Sequence, residues 1–163
     1  MSTNEITHII IYIGSSYLGN LGSGAYAATI ERWNKDRPPL IDKVSDISNT
    51  MTSCNQMGMS AAIEALRHLR EKHTGSLNVP ITLVCNSKYV IDGMNKWLKR
   101  WKNNGWKTTS KTQVENYKLW LQLDETSTGL SLSWKWEQGH KVNQAKKAAH
   151  ALAKKELDKF RDT

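Results

Sequence analysis

The residues best suited to chemistry in this 163-residue chain lie between positions 93 and 114. There Lys96, Lys99, Arg100, Lys102, Lys107 and Lys111 stand without a single acid, and Trp97, Trp101 and Trp106 are interleaved with them. Clustered cations attract a polyanion and release its counterions, and indole rings offer flat surfaces beside the charge. The stretch therefore suits a nucleic-acid backbone. The whole chain leans the same way, with 23 Lys and Arg against 15 Asp and Glu for a net charge of +8. A second basic group, Lys141, Lys146, Lys147, Lys154, Lys155, Lys159 and Arg161, runs through the tail. For that group an ordinary solvated helix face is an equal reading.

Other chemistries are less well equipped. His140 and His150 could lie near Asn86, but two imidazoles fall short of the three protein ligands of a catalytic zinc. Ser15 or Ser16 with His140 could supply a nucleophile and a base, yet no spacing enforces the pair and no acid orients the imidazole. Cys54 and Cys85 cannot make a disulfide framework or a four-ligand zinc site, and read as reduced thiols. The expected location is intracellular, in cytoplasm or nucleus. The longest apolar run, 9–13, is far short of a bilayer span, and the polar first residues do not read as a signal peptide. No membrane partner is expected.

The elements that must position these residues follow from hydropathy. Hydrophobic residues at 39% and charged residues at 23% exclude wholesale disorder, and the length suits one domain over 1–163 with its own core. The β-branched run 6–13 predicts a buried strand, and the glycines from Gly14 to Gly24 predict a turn. Further strands are predicted at 25–33, 40–47, 79–85 and 130–136. Met59, Ala62, Ile63, Leu66 and Leu69 place a helix over 57–73, and others are predicted at 87–101 and 111–123. A last helix, 144–160, carries Ala145, Ala149, Leu152, Ala153 and Phe160 on one stripe. The order β-β-β-α-β-α-α-β-α is that of an α/β protein with helices packed on a mixed sheet.

At this point the residues carry a resemblance. Ile11-Tyr12-Ile13-Gly14-Ser15-Ser16, then Leu18-Gly19-Asn20 and Gly22-x-Gly24, resemble the opening of type 1 ribonuclease H. Met57 with Ala61-Ala62-Ile63-x-Ala65-Leu66 is similar to the family's first helix. Asn86-Ser87-Lys88-Tyr89-Val90, Gly93, Trp97, Trp101 and Gly105-Trp106-Lys107-Thr108 match its strand end, helix and basic handle. Leu119-Trp120-x-x-Leu123 and Trp134-Lys135-Trp136-x-x-Gly139-His140 continue the likeness, which spans about 8–158 with the handle at about 96–111. The fold it implies is a ribonuclease H-like five-stranded mixed sheet, ordered 3-2-1-4-5, with helices on both faces.

The resemblance also implies four carboxylates holding two Mg²⁺ ions that cleave the RNA of an RNA/DNA hybrid. At the matching positions stand Gly14, Gly58, Asn86 and His150, and neither Asp nor Glu occurs in 6–30, 47–63, 72–91 or 138–155. His140 matches the family's loop histidine. Magnesium prefers hard oxygen ligands, so the expectation here is a catalytically inactive pseudonuclease with no catalytic residue, no metal and no cofactor. It would still bind RNA/DNA hybrid or duplex RNA. The contacts expected from the resemblance are Ser16, Asn20, Asn55 and Lys88, with Lys96, Lys99, Arg100, Trp101, Lys102, Trp106, Lys107 and Thr108 of the handle. The alternative is a structural or protein-interaction domain, with a protein partner or as a homodimer, similar to the connection domains of reverse transcriptases. Activity on the hybrid is set behind both.

Overall fold

The central strand is covered on both sides, and alternate isoleucines of the first segment supply its apolar core face. In the computed structural model, which describes residues 6–18, 23–48, 53–73 and 77–161, β1 (Ile6–Leu18) lies in the middle of a five-stranded sheet ordered β3-β2-β1-β4-β5. β2 (Ser23–Asn34) pairs antiparallel with β1, and β3 (Leu40–Ser48) antiparallel with β2. β4 (Ile81–Cys85) runs parallel to β1, and β5 (Leu132–Trp136) parallel to β4. The fold is thus the mixed sheet of the ribonuclease H-like class, as expected.

Alternation on β1 divides the molecule into two faces. Ile9, Ile11 and Ile13 join a buried cluster with Met59, Ala62, Ile63, Leu66 and Leu69 of α1 (Cys54–Lys72) and with Trp120 and Leu123 of α4 (Tyr117–Ser127). The opposite face, with Tyr12, Gly14 and Ser16, lies under α5 (His140–Arg161). Ala145, Ala149 and Ala153 are buried there, as their stripe predicts. The side chain of Phe160 falls outside the described residues, and among those described no helix is long and apolar enough to cross a membrane.

Three expectations are corrected. The segment 14–18 continues β1 instead of turning, because Ser15 to Leu18 keep pairing with β2. The helix predicted over 111–123 begins only at Tyr117, because Lys111 and Asn116 adopt left-handed backbone and Gln113 bridges to Lys107. The helix predicted over 87–101 is divided into α2 (Lys88–Asp92), a π-helical turn (Gly93–Trp97) and α3 (Leu98–Asn103). The cause is steric. A Cβ on Gly93 would fall 2.0 Å from the Trp120 ring, so a buried indole occupies the space at that turn. Trp120 is fully buried and donates its Nε1–H to Tyr89 Oη at 3.3 Å.

A half-buried charge cluster sits at the outer edge of the sheet. Asp42 on β3 receives Arg32 at 3.2 Å, His68 at 3.0 Å and Lys72 at 3.4 Å. Burial pushes the Asp42 carboxyl up, but the His68 hydrogen bond and the charges of Arg32 and Lys72 together hold it below its ordinary range. Nearby His73 is buried, and its Nε2 has no hydrogen-bond partner among the described residues. Desolvation, then the Arg32 and Lys72 charges, hold its imidazole below the ordinary histidine value. The unfolded chain therefore takes up the His73 proton before the folded one does, and stability drains as pH falls through the histidine range. Asp42 has the same sign at lower pH, where its contribution is lost as the folded carboxyl protonates. Between about pH 7.5 and 5.5, the melting temperature of the wild type should fall more steeply than that of His73→Gln. Parallel profiles would show that His73 is not the group responsible.

Candidate nucleic-acid interface

Ser16, His140 and His150 line one cleft, Asn55 and Asn86 another, and Lys146 of α5 borders both. α5 approaches β1 closely at Gly14: a Cβ there would lie 2.1 Å from the Ala145 carbonyl carbon and 2.2 Å from the Lys146 nitrogen. The α5 backbone therefore fills the space a side chain at position 14 would need. Two residues on, buried Ser16 places its Oγ 3.0 Å from His150 Nδ1. Ser16 and His150 line a cleft of about 570 Å³ with His140, Lys146, Lys147 and Lys154. His140 is the first residue of α5, with Nε2 2.6 Å from Gln144 Nε2, rather than a loop residue. A second cleft of about 210 Å³ brings Ser15, Cys54, Asn55, Asn86, Ser87 and Lys146 together.

Local capping fixes this second cleft. Ser53 and Gln56 form a reciprocal capping box that starts α1. Ser87 caps α2 by accepting from Val90 N–H at 3.3 Å and donates its hydroxyl to Asn55 Oδ1 at 2.8 Å. The carbonyl of Asn86 accepts from Trp136 Nε1 at 3.1 Å, and the Lys88 ammonium sits 4.8 Å over the Trp136 ring. Cys54 and Cys85 are both free, and burial pushes the Cys85 thiol up. Gly58, also expected near this centre, lies in α1 with nothing within 4 Å of a Cβ built on it.

The basic handle leaves the sheet through α3 and is anchored by rings. Trp101 packs on Trp97 and Trp120 with ring centroids 5.7 and 5.2 Å away, and Trp106 packs on Tyr117 at 6.0 Å. These contacts give all four tryptophans a packing role, and they leave Trp101 and Trp106 half-buried. The turn needs positive φ at Gly105 and Trp106, and Thr108 closes it through Thr112 at 2.7 Å. The cations are not equivalent. Lys96 is paired with Asp92 at 3.5 Å and Lys102 with Asp124 at 3.2 Å. Lys99, Arg100 and Lys107 are exposed and make no ion pair among the described residues. Asn20 lies outside the described residues. The contribution of Lys146 and Lys147 to the centre was missed in the sequence, where the tail lysines form one undivided basic group; only the 3.6-residue period against Gly14 could have separated them.

Comparison with known proteins gives one consistent answer. The RNase H family model matches residues 7–158. The chain is 37% identical over 153 residues to Ribonuclease H of Hyphomonas neptunium, with 94% of each chain covered. It is 35% identical over 150 residues to Ribonuclease H of Francisella philomiragia, covering 92% of this chain and 91% of that one. Among solved structures, LC9-RNase H1, a type 1 RNase H with the type 2 active-site motif, is similar with a TM-score of 0.77 at 25% identity, over 91% of this chain and 72% of that one. LC11-RNase H1 in complex with RNA/DNA hybrid shares the fold, with a TM-score of 0.70 at 16% identity over 91% of this chain and 99% of that one.

These relatives overturn the expectation of a catalytically inactive protein. Chains 35 to 37% identical over nearly their whole length are ribonucleases H, which points to an active ribonuclease. That expectation weighed four side chains alone, whereas the relatives match the entire framework around them. The expectation of no cofactor falls with it, because the magnesium implied by the resemblance belongs to the hydrolysis. The residues present at the four matching positions do not themselves fit that ion. Position 14 is filled by α5 backbone, Gly58 has no side chain, Asn86 offers a neutral amide, and His150 Nδ1 is engaged with Ser16. Among the described residues no three His, Cys, Asp or Glu gather into a metal-holding group.

The two glycines should respond oppositely to a side chain. Gly14→Ala or Gly14→Asp forces α5 off β1 and should destabilise by about 3 kcal/mol or more. Gly58→Ala meets open space and removes a helix-interior glycine, so urea unfolding should show a gain of about 0.5–1 kcal/mol. Equal effects at the two sites would contradict the close approach at Gly14.

Proposed function

The chain belongs to the ribonuclease H family, and we propose that it acts as a ribonuclease on the RNA strand of an RNA/DNA hybrid held in its basic groove. The observation that carries this reading is the near-full-length match to ribonucleases H, joined to a cationic handle anchored on Trp120 and Tyr117. Nucleic-acid binding is the part the geometry supports most directly. Lys99, Arg100 and Lys107 present unpaired charge to phosphates, and Thr108 closes the turn that carries Lys107. Trp101 and Trp106 are packed from behind by Trp120 and Tyr117, so the handle is a rigid arm.

Lys96 and Lys102 contribute less, since each is already offset by a carboxylate. Ser16, Asn55 and Lys88 line or flank the clefts and are the contacts closest to the centre. Phosphate contacts set position and register, while small polar groups near the groove floor distinguish ribose hydroxyls. The alternative of a structural or protein-docking domain rested on lost activity and goes with it. We take the chain to work as one domain inside the cell, in cytoplasm or nucleus, where its hybrid ligand lies and two free thiols persist.

The test pairs cleavage with binding. An end-labelled RNA/DNA hybrid incubated with the full chain and Mg²⁺ or Mn²⁺ should lose its RNA strand, while duplex DNA stays intact. Lys99→Ala and Arg100→Ala should each weaken hybrid binding and lower the slope of log affinity against log salt by about one. Bound but uncut hybrid would defeat the nuclease assignment, and unchanged slopes would defeat the role given to the handle.

A further inference from the structure

The cleft over Ser16 is lined by three lysines, Lys146, Lys147 and Lys154, that lie outside the handle. Its α5 wall repeats at helical spacing through His140, Lys147, His150 and Lys154, with Lys146 beside them, and no acid among the described residues lines it. Lys146, Lys147 and Lys154 make no ion pair among the described residues. Lys141 on the adjoining face is different, tied to buried Glu31 at 2.9 Å with its ammonium held above the ordinary lysine range by that bond. Like charges crowded on one helix face repel until an anion offsets them.

The cleft floor adds directional groups. The buried Ser16 hydroxyl and the His150 ring are held together at 3.0 Å, with their hydrogens free to settle on either partner. Lys146 also lines the neighbouring cleft with Ser15, Asn55 and Asn86, so this one residue borders both hollows. An anion with several acceptor oxygens matches the Ser16–His150 pair, which keeps one donor hydrogen beyond their mutual bond, together with the three lysines that line the cleft from α5. An apolar ligand would leave them all uncompensated, and a cation would be repelled.

We propose that the cleft between Ser16 and α5 is a phosphate site. Ser16, His150, Lys146, Lys147 and Lys154 take one phosphodiester group of the bound strand directly. The source of that phosphate rests on the hybrid reading above, while the cleft's preference for a phosphate does not. The same chemistry would also hold free phosphate, so the experiment uses both.

Isotope-labelled full chain is titrated first with inorganic phosphate and then with a hybrid bearing hydroxyl ends, following the His150 ring and the Ser16 amide by NMR. Both ligands should shift both signals, with chloride at matched ionic strength leaving them in place. Ser16→Ala, which keeps every charge, should weaken phosphate binding about tenfold with the rest of the spectrum unchanged. Lys146→Ala with Lys147→Ala should lower the hybrid salt slope by about two. If phosphate moves neither signal, the site is overturned, even where hybrid binding through Lys99 and Arg100 persists and the proposed function stands. If phosphate binds in the cleft but the bound hybrid leaves it unmoved, the phosphodiester assignment is overturned in favour of free phosphate. If no hybrid binds at all, the functional reading fails and the phosphate titration alone decides the cleft.

Discussion

The contact on which the rest of this structure depends is backbone against backbone, where α5 crosses β1 at Gly14. No side chain separates the two elements there, since any Cβ would fall inside the Ala145–Lys146 peptide. Alanines at 145, 149 and 153 extend the close fit along the helix. The register of α5 is set by that fit, and the register decides which residues face the centre. With Ala145 pressed on Gly14, Lys146 borders the cleft that holds Asn86 and His150 comes to rest against Ser16. The charge of the site is therefore a consequence of packing, because the stripe that fills the sheet face fixes the angle of the stripe beside it.

A similar device holds the handle. Gly93 gives up its side chain so that the Trp120 ring can reach the helix, and the helix widens by a π turn at that place. Trp101 then packs against Trp120 at a tilt, and the cationic segment projects from an aromatic base. Widening a helix sacrifices regular hydrogen bonding, and burial of a whole indole offsets it, with Tyr89 Oη satisfying the indole N–H. Both cationic regions are thus aimed by a glycine that accepts another element into its own volume.

Much of this was legible in the residues, and the failures have physical causes. Strand positions followed from β-branched runs, and the helix stripes followed from their 3.6-residue period. The glycine-rich segment misled, because Gly14 reads locally as a turn former while its real use is close approach, which depends on a helix more than a hundred residues later. The start of α4 was misplaced because Val114 fits the apolar period, yet Asn116 in left-handed backbone precedes the first turn. At the site, residue types told which chemistry each position could support alone. They did not tell which cations were already neutralised: Lys96 and Lys99 look alike in sequence and differ only in that Asp92 lies one helical turn before Lys96. The inference of inactivity failed for a related reason. It read function from four positions, whereas the likeness to ribonucleases H runs through the whole framework.

The two basic regions are also mechanically linked. Lys146 shares its smaller cleft with Ser87, and Ser87 caps the helix that runs through the π turn into the handle. Asn55 of α1 braces the same serine at 2.8 Å. A phosphate backbone presents charges at nearly fixed intervals, so two cationic sites act together only if their separation is held constant. Here that separation is held by a capped helix at one end and a backbone contact at the other. Loosening either joint would leave each patch its own charge but break their common register, and a duplex would then meet two independent weak sites in place of one groove.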